Sequence, residues 1–337
     1  MANPVLVEVL RGGFVESFHR GAVAVVDAAG KPVLTLGDVS APIFPRSAVK
    51  LMQALPLIES SAADRYGLSN EELALACSSH SGEPGHVETA KKMLWRIGLD
   101  DGALQCGIQW PTHEPSAREL ARVGRAPTAL HNNCSGKHAG MLCQAAMLEV
   151  SPENYVHLNH PVQQRVKLTL EEILGIRLQR AAVDGCSIPT FAMPLTALAR
   201  GFAKLGAGVN VERPRAAAAK RLMQACFAQP WHVGGTGRFC TTILDRLGGR
   251  AFVKIGAEGV FGAVLPTLGF GIAVKCDDGG MRAAQVIMAA LLMRFLPLSS
   301  DETSWLNTLI ECSIRNANNI PVGSTRAAPV LASHPQR

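Results

Sequence analysis

The chain has 337 residues, 47% of them hydrophobic and only 18% charged, with 33 basic against 27 acidic side chains for a formal charge of +6. That is enough apolar material for one large core or two merged ones. No lysine or arginine run forms a nucleic-acid-binding tail or patch, and no apolar run is long enough to span a bilayer. Nine cysteines, an odd number without regular spacing, argue against a disulfide framework.

The opening residues, Met1-Ala2-Asn3-Pro4-Val5, lack the basic region and apolar core of a signal peptide, so a soluble cytoplasmic protein is expected. Residues 5–10, 14–19, 22–26 and 32–36 are short, rich in β-branched residues and broken by Arg11-Gly12-Gly13, Arg20-Gly21 and Ala28-Ala29-Gly30-Lys31. They predict a hairpin-rich antiparallel start. Phe44-Pro45-Arg46-Ser47-Ala48-Val49-Lys50 then feeds a helix through Leu51 and Leu55. The spacing puts Ser47 and Lys50 on one face, where a lysine amine can reach a serine hydroxyl and relieve it of its proton. Taken alone the spacing is weak, and it fits a serine that merely caps or opens the first turn of an apolar helix.

Ser69 with Glu72 predicts a capped helix start, and Cys77-Ser78-Ser79-His80-Ser81-Gly82-Glu83-Pro84 a polar loop before a helix over 85–94. The apolar stripe of that helix leaves His86 and Glu88 facing solvent. Residues 102–128 are irregular, with helical character at 117–123. Next, His131-Asn132-Asn133-Cys134-Ser135-Gly136-Lys137-His138 crowds amides, a thiol, a hydroxyl and two basic groups into the start of a helix, a setting suited to a carboxylate or a developing oxyanion.

A helix over 164–174 is expected to stop at Gly175, a strand over 181–183 to deliver Asp184-Gly185-Cys186, and helices to follow over 193–205 and 214–227. Pro230 to Arg238 reads as a glycine-rich turn without the lysine-serine pair of a nucleotide loop. Strands are predicted over 240–244, 251–255 and 271–274, then a methionine-rich apolar helix over 282–296, a terminal helix over 305–312 and a polar tail. The sheet is thus expected from about 1–40 and 238–280, with a helical middle at about 45–230.

Ser47-x-x-Lys50, a polar loop with a second serine, and Lys254-x-Gly256 on a late strand resemble the serine β-lactamase and penicillin-binding plan: an α+β fold with an antiparallel sheet packed against helices and a largely helical subdomain. Asn132-Asn133-Cys134-Ser135 departs from the usual serine-aspartate-asparagine triplet of that plan. A closer resemblance covers nearly the whole chain. Phe44-Pro45-Arg46-Ser47-x-x-Lys50, Ser79-His80-x-Gly82-Glu83-Pro84-x-His86, His131-Asn132-x-Cys134-Ser135-Gly136-Lys137-His138, Asp184-Gly185-Cys186 and Gly256-Ala257-Glu258-Gly259, in that order, resemble the bacterial L-asparaginase II family of the rhizobial, serine-lysine type.

The resemblance implies a homodimer that hydrolyses L-asparagine to L-aspartate and ammonia through two serine-lysine tandems, Ser47 with Lys50 and Ser79 with a lysine of a late strand, a role that the Lys-x-Gly setting assigns to Lys254 and for which Lys275 competes. It implies a zinc ion held by Cys134, Lys137 and Cys186, aiding substrate binding rather than activating water. It also implies a substrate surrounded by Arg46, His80, Asn133, Lys137, His138 and Asp184. Ser47 is expected to attack, with Ser79 orienting it or relaying protons. The open alternatives are a glutaminase or a β-lactam or D-alanyl peptide hydrolase of the same plan, and a non-catalytic, zinc-dependent amino-acid-binding protein.

Overall fold

The computed structural model describes residues 2–332. Its centre is an eight-stranded sheet in which every pairing is antiparallel. The strands are β1 (Val5–Arg11), β2 (Phe14–Val26), β3 (Pro32–Leu36), β4 (Phe252–Ile255), β5 (Val260–Leu265), β6 (Phe270–Cys276), β7 (Cys312–Arg315) and β8 (Pro321–Ala327). They lie in the order β7-β8-β1-β2-β6-β5-β4, with β3 pairing on β2. The expected α+β architecture is the one found.

Three strand expectations need correction. Arg20-Gly21 is no turn: β2 runs through it unbroken, and Gly21 is needed because a Cβ there would lie 2.3 Å from the Lys275 carbonyl of the neighbouring strand. Residues 240–244 are helical. Cys240, Ile243, Leu244 and Leu247 recur with helical period and outweigh the β-branched Thr241-Thr242-Ile243 run, and Thr242 Oγ1 donates back to the Arg238 carbonyl. The polar tail, as far as the described residues extend, is the β7–β8 hairpin, whose second strand pairs with β1 (Val7 opposite Ala327). It reads as a tail because the hairpin carries few apolar residues and buries only Thr325; residues 333–337 of that expected tail lie outside the described residues. The fully buried β5 lies outside the expected strands.

The helices are α1 (Asn70–Ala76), α2 (Pro84–Trp95), α3 (Glu114–Arg122), α4 (Ser135–Met147), α5 (Pro161–Leu174), α6 (Leu195–Ala207), α7 (Arg213–Ala228), α8 (Phe239–Leu247), α9 (Met281–Phe295) and α10 (Ser300–Ile310), with shorter turns between them. The Ser69–Glu72 capping box is present, and Gly175 closes α5 in a left-handed conformation at φ 65°. Helices α6 and α9 both pack on β6, which is largely buried. The approach of α6 is so close that a Cβ at Gly271 would fall 1.9 Å from the Ala199 carbonyl. Helix α4 is buried throughout Ser135 to Ala145, as a helix enclosed by its neighbours must be, and packs on α1 and α2. The chemistry-bearing loops meet between this enclosed helix and the β4 edge of the sheet. Among the described residues no helix is long and apolar enough to cross a membrane.

Candidate active site

Arg46 takes φ 51°, a left-handed conformation that a side-chain-bearing residue seldom adopts, and opens a 3₁₀ turn Arg46–Val49 that continues into Lys50–Gln53. Side chains three apart in such a turn eclipse one another, so Ser47 and Lys50 leave the backbone on one side. The expected contact between them is not made. The fully buried Lys50 amine donates to the Ser78 carbonyl, to Ser79 Oγ at 3.1 Å and Cys134 Sγ at 3.1 Å, and at longer range to the Asn133 carbonyl. A buried amine must satisfy its protons, and two loops offer it carbonyls where a lone hydroxyl could not. The Ser47 hydroxyl makes no hydrogen bond among the described residues and faces the cavity described below.

Ser79 follows the end of α1. Its backbone N–H donates to the Val233 carbonyl at 3.1 Å, and its Oγ lies 3.1 Å from Lys50 Nζ and 2.8 Å from Lys254 Nζ. Lys254 comes from β4 and is fully buried. Burial, reinforced by the Lys50 charge, pulls its pKa down from 10.5 to about 7. Lys275 instead donates to the Glu258 carbonyl at 2.5 Å, so the lysine brought to Ser79 is Lys254.

In front of these groups is a cavity of about 190 Å³. On one wall Arg46 Nε donates to Asp184 Oδ1 at 2.7 Å, and the same oxygen accepts the Gly185 N–H at 2.7 Å. The hairpin of Ala181–Val183 and Pro189–Phe191 carries Asp184 in its turn. Neither the two Nη groups of Arg46 nor Asp184 Oδ2 has a partner among the described residues. Asn133 and Gln109 also line the cavity. The Asn133 N–H donates to Gln109 Oε1 at 3.3 Å, and the Gln109 amide NH₂ has no partner among the described residues. Ala257, just beyond β4, also lines the cavity. The backbone N–H groups of Ser47 and Ala257 carry no hydrogen bond among the described residues. Gly256 lets this segment settle onto the Ser47 turn, since a Cβ there would lie 2.5 Å from the Pro45 carbonyl.

Cys134 and Cys186 line the same cavity, and Lys137 Nζ donates to Cys186 Sγ at 2.9 Å. A hydrogen bond from the Cys186 thiol, together with the Lys137 and Lys50 charges, holds Cys134 well below the ordinary thiol pKa despite its burial, while Cys186 is pushed up. Burial alone would lower the Lys137 amine, but the two sulfurs outweigh it and raise it. Two sulfurs and an amine converging at a cavity wall fit a soft metal ion, provided the ion displaces the Lys137 proton. Among the described residues no three His, Cys, Asp or Glu side chains form such a group, because the third donor here is a lysine.

Of the residues expected around a substrate, Arg46, Asn133 and Asp184 line the cavity, and Lys137 turns to the sulfurs. His80 lies behind the wall: its Nδ1 accepts the Gly82 N–H at 3.2 Å and its Nε2 meets Ser135 Oγ at 2.9 Å. His138 also lies behind it, 2.6 Å from the Tyr155 hydroxyl. The expectation that His86 faces solvent is overturned: it is fully buried, stacked 3.9 Å from Trp231, and burial lowers its pKa to about 4. Glu88 is exposed as expected. Gln109 stands in an irregular stretch without a motif and Ala257 in a glycine-flanked turn, so neither is legible in the sequence as part of the cavity wall. A separate groove of about 780 Å³ between α2 and α3 contains none of the serines or lysines of this cluster.

The sequence model of L-asparaginase II matches residues 7–327. Solved structures similar to this chain include a β-lactamase from Mycobacterium bovis, at 17% identity over 79% of this chain and 90% of that one with a TM-score of 0.39. Another is a mutant simvastatin synthase from Aspergillus terreus, at 14% identity over 76% of this chain and 84% of that one with a TM-score of 0.36. No curated protein matches.

Proposed function

The chain belongs to the L-asparaginase II family, and we propose that it hydrolyses L-asparagine to L-aspartate and ammonia with Ser47 as nucleophile and Ser79 with Lys254 as the route for its proton. The observation that carries this reading is Ser79 Oγ held between two buried lysine amines, immediately behind a cavity whose wall exposes Ser47, Arg46 and Asp184.

The free Nη fork of Arg46 suits an α-carboxylate, and Asp184 Oδ2 suits an α-ammonium, so this pair holds both charged ends of an amino acid. With the substrate so placed, Ser47 Oγ attacks the side-chain amide carbon, and its proton passes through the Ser79 hydroxyl to the neutral Lys254 amine. The Lys50 ammonium favours the neutral form of Lys254 by like-charge repulsion. The N–H groups of Ser47 and Ala257 receive the oxyanion. The C–N bond then breaks, the proton held on Lys254 returning to the leaving nitrogen as ammonia departs. Water attacks the resulting aspartyl-Ser47 ester, gives its proton to the same base, and releases aspartate as the Ser47 hydroxyl re-forms.

Cys134, Lys137 and Cys186 would hold a zinc ion, which when bound supplies positive charge at the cavity wall to aid substrate binding. Homodimer assembly, on the strength of the family, and a cytoplasmic location, on the character of the opening residues, are part of this proposal. A second reading, with Ser79 as nucleophile, is favoured by its direct contact with Lys254. Ammonia release from asparagine, compared between the unaltered protein, Ser47→Ala and Ser79→Ala, tests the function. Both variants should lose turnover by about a thousandfold or more, and full activity in the pair combined would sink the covalent serine reading.

A further inference from the structure

The glycine-rich segment after Pro230 plays no part in the chemistry above, yet the Ser79 loop is bolted to it. Glu83 is buried, and its carboxylate accepts the Ser81 hydroxyl at 2.6 Å, the Thr236 N–H at 2.8 Å and the Thr236 hydroxyl at 2.7 Å. Trp231 Nε1 donates to that same Thr236 oxygen at 3.1 Å. Trp231 in turn stacks on His86, its carbonyl 3.1 Å from His86 Nε2, and the His86 Nδ1 accepts the Glu83 N–H at 3.2 Å. Between these two anchors lies Val233, whose carbonyl takes the Ser79 N–H. The approach is so close that a Cβ at Gly235, where φ is 110°, would fall 1.9 Å from Ser81 Oγ and 2.5 Å from Glu83 Oε1. Burial raises the Glu83 pKa, but the Ser81 and Thr236 donors outweigh it, so the carboxylate stays charged and keeps accepting all three bonds.

We propose that Glu83 and Thr236 are positioning residues for the reaction, a clamp that fixes the 233–237 segment against the Ser79 loop and so holds the Ser79 hydroxyl between Lys50 and Lys254. The clamp has no route to the cavity, since neither residue lines it. It acts only through the backbone of Ser79, and the inference therefore rests on the reading that Ser79 takes part in the reaction. The distances to the two lysines, 3.1 and 2.8 Å, leave little slack before one contact is lost. A misplacement of about 1 Å at such a group costs on the order of a hundredfold in rate.

The test measures asparagine turnover, melting temperature and the pH profile of kcat for Thr236→Val, Thr236→Ser, Glu83→Gln and Ser79→Ala in the full chain. Thr236→Val keeps the backbone donor and removes the hydroxyl. It should lower kcat about tenfold to a hundredfold with KM within twofold, and move the acid-limb midpoint of kcat, which reports Lys254 among Lys50, Cys134, Cys240 and Arg238. Glu83→Gln should do the same more mildly, and Thr236→Ser should restore both rate and midpoint. An inactive Ser79→Ala beside Thr236→Val and Glu83→Gln at full rate would overturn the clamp alone. So would a rate loss matched by a fall in melting temperature with an unmoved midpoint, which is what simple loosening of the fold gives. A fully active Ser79→Ala would overturn the reading beneath it, and the clamp with it.

Discussion

Lys254 Nζ stands 2.8 Å from Ser79 Oγ, a contact made across 175 residues of chain. Burial and the Lys50 charge bring Lys254 to a pKa of about 7. A base works only when unprotonated, so asparagine turnover should be low below pH 7 and rise through a midpoint near that value. Replacing Lys254 by Met should remove that limb and lower kcat by about a hundredfold to ten-thousandfold. The kcat profile from pH 5 to 9 checks both, and a midpoint unchanged in Lys254→Met would remove this lysine from the role of base.

The Arg46–Asp184 pair should govern substrate affinity more than chemistry. Asp184→Asn keeps an acceptor for Arg46 Nε but removes the charge facing an ammonium, so KM for asparagine should rise about tenfold to a hundredfold, the worth of one charge-assisted hydrogen bond. Succinamic acid, which is asparagine without its α-amino group, should lose its disadvantage in this variant. Steady-state kinetics with both substrates measures the effect.

Metal content of the purified chain should be about one zinc per chain, as expected for a single site, and should be lost in Cys134→Ser and in Cys186→Ser. Chelation should raise KM while leaving the serine-lysine chemistry able to turn over saturating substrate. Elemental analysis together with kinetics before and after chelation gives both readouts, and zinc retained by the two serine variants would place the metal elsewhere.

Gly271 sits where α6 meets the sheet, with the Ala199 carbonyl occupying the space a methyl would need. Gly271→Ala should cost about 3 kcal/mol, since the backbone itself must give way. With an unfolding entropy of about 2.1 cal/mol/K per residue, that is a fall of roughly 4 °C in melting temperature for a chain of this size. Thermal unfolding followed by circular dichroism tests it.

Much of the site could be read from residue order because its parts are local. Ser47-x-x-Lys50, the Ser79 loop, the Cys134–Lys137 pair and Asp184-Gly185-Cys186 are each one short segment, and each lines the cavity or lies directly behind it. Partnership was harder to read than membership. Lys50 turns from its neighbour in sequence, Ser47, to the distant Ser79, because a buried amine goes where the most acceptors are. His86 was assigned to solvent from the stripe of its own helix, which knows nothing of Trp231, brought in from 145 residues away. The fold shows the same division. The capping box at Ser69 and the stop at Gly175 are local and legible. The helix at Phe239–Leu247 and the closing hairpin at Cys312–Ala327 depend on which face tertiary packing buries, and β-branched or polar residues misdirected both expectations.

In the proposed reaction Ser47 makes the covalent bond while Ser79 carries its proton. An asparagine analogue bearing an electrophilic diazoketone in place of the side-chain amide can be captured by the attacking oxygen, and peptide mapping by mass spectrometry then locates the adduct. Labelling is expected on Ser47, abolished in Ser47→Ala and much slowed but still on Ser47 in Ser79→Ala. Labelling on Ser79 that persists when Ser47 is alanine would contradict it.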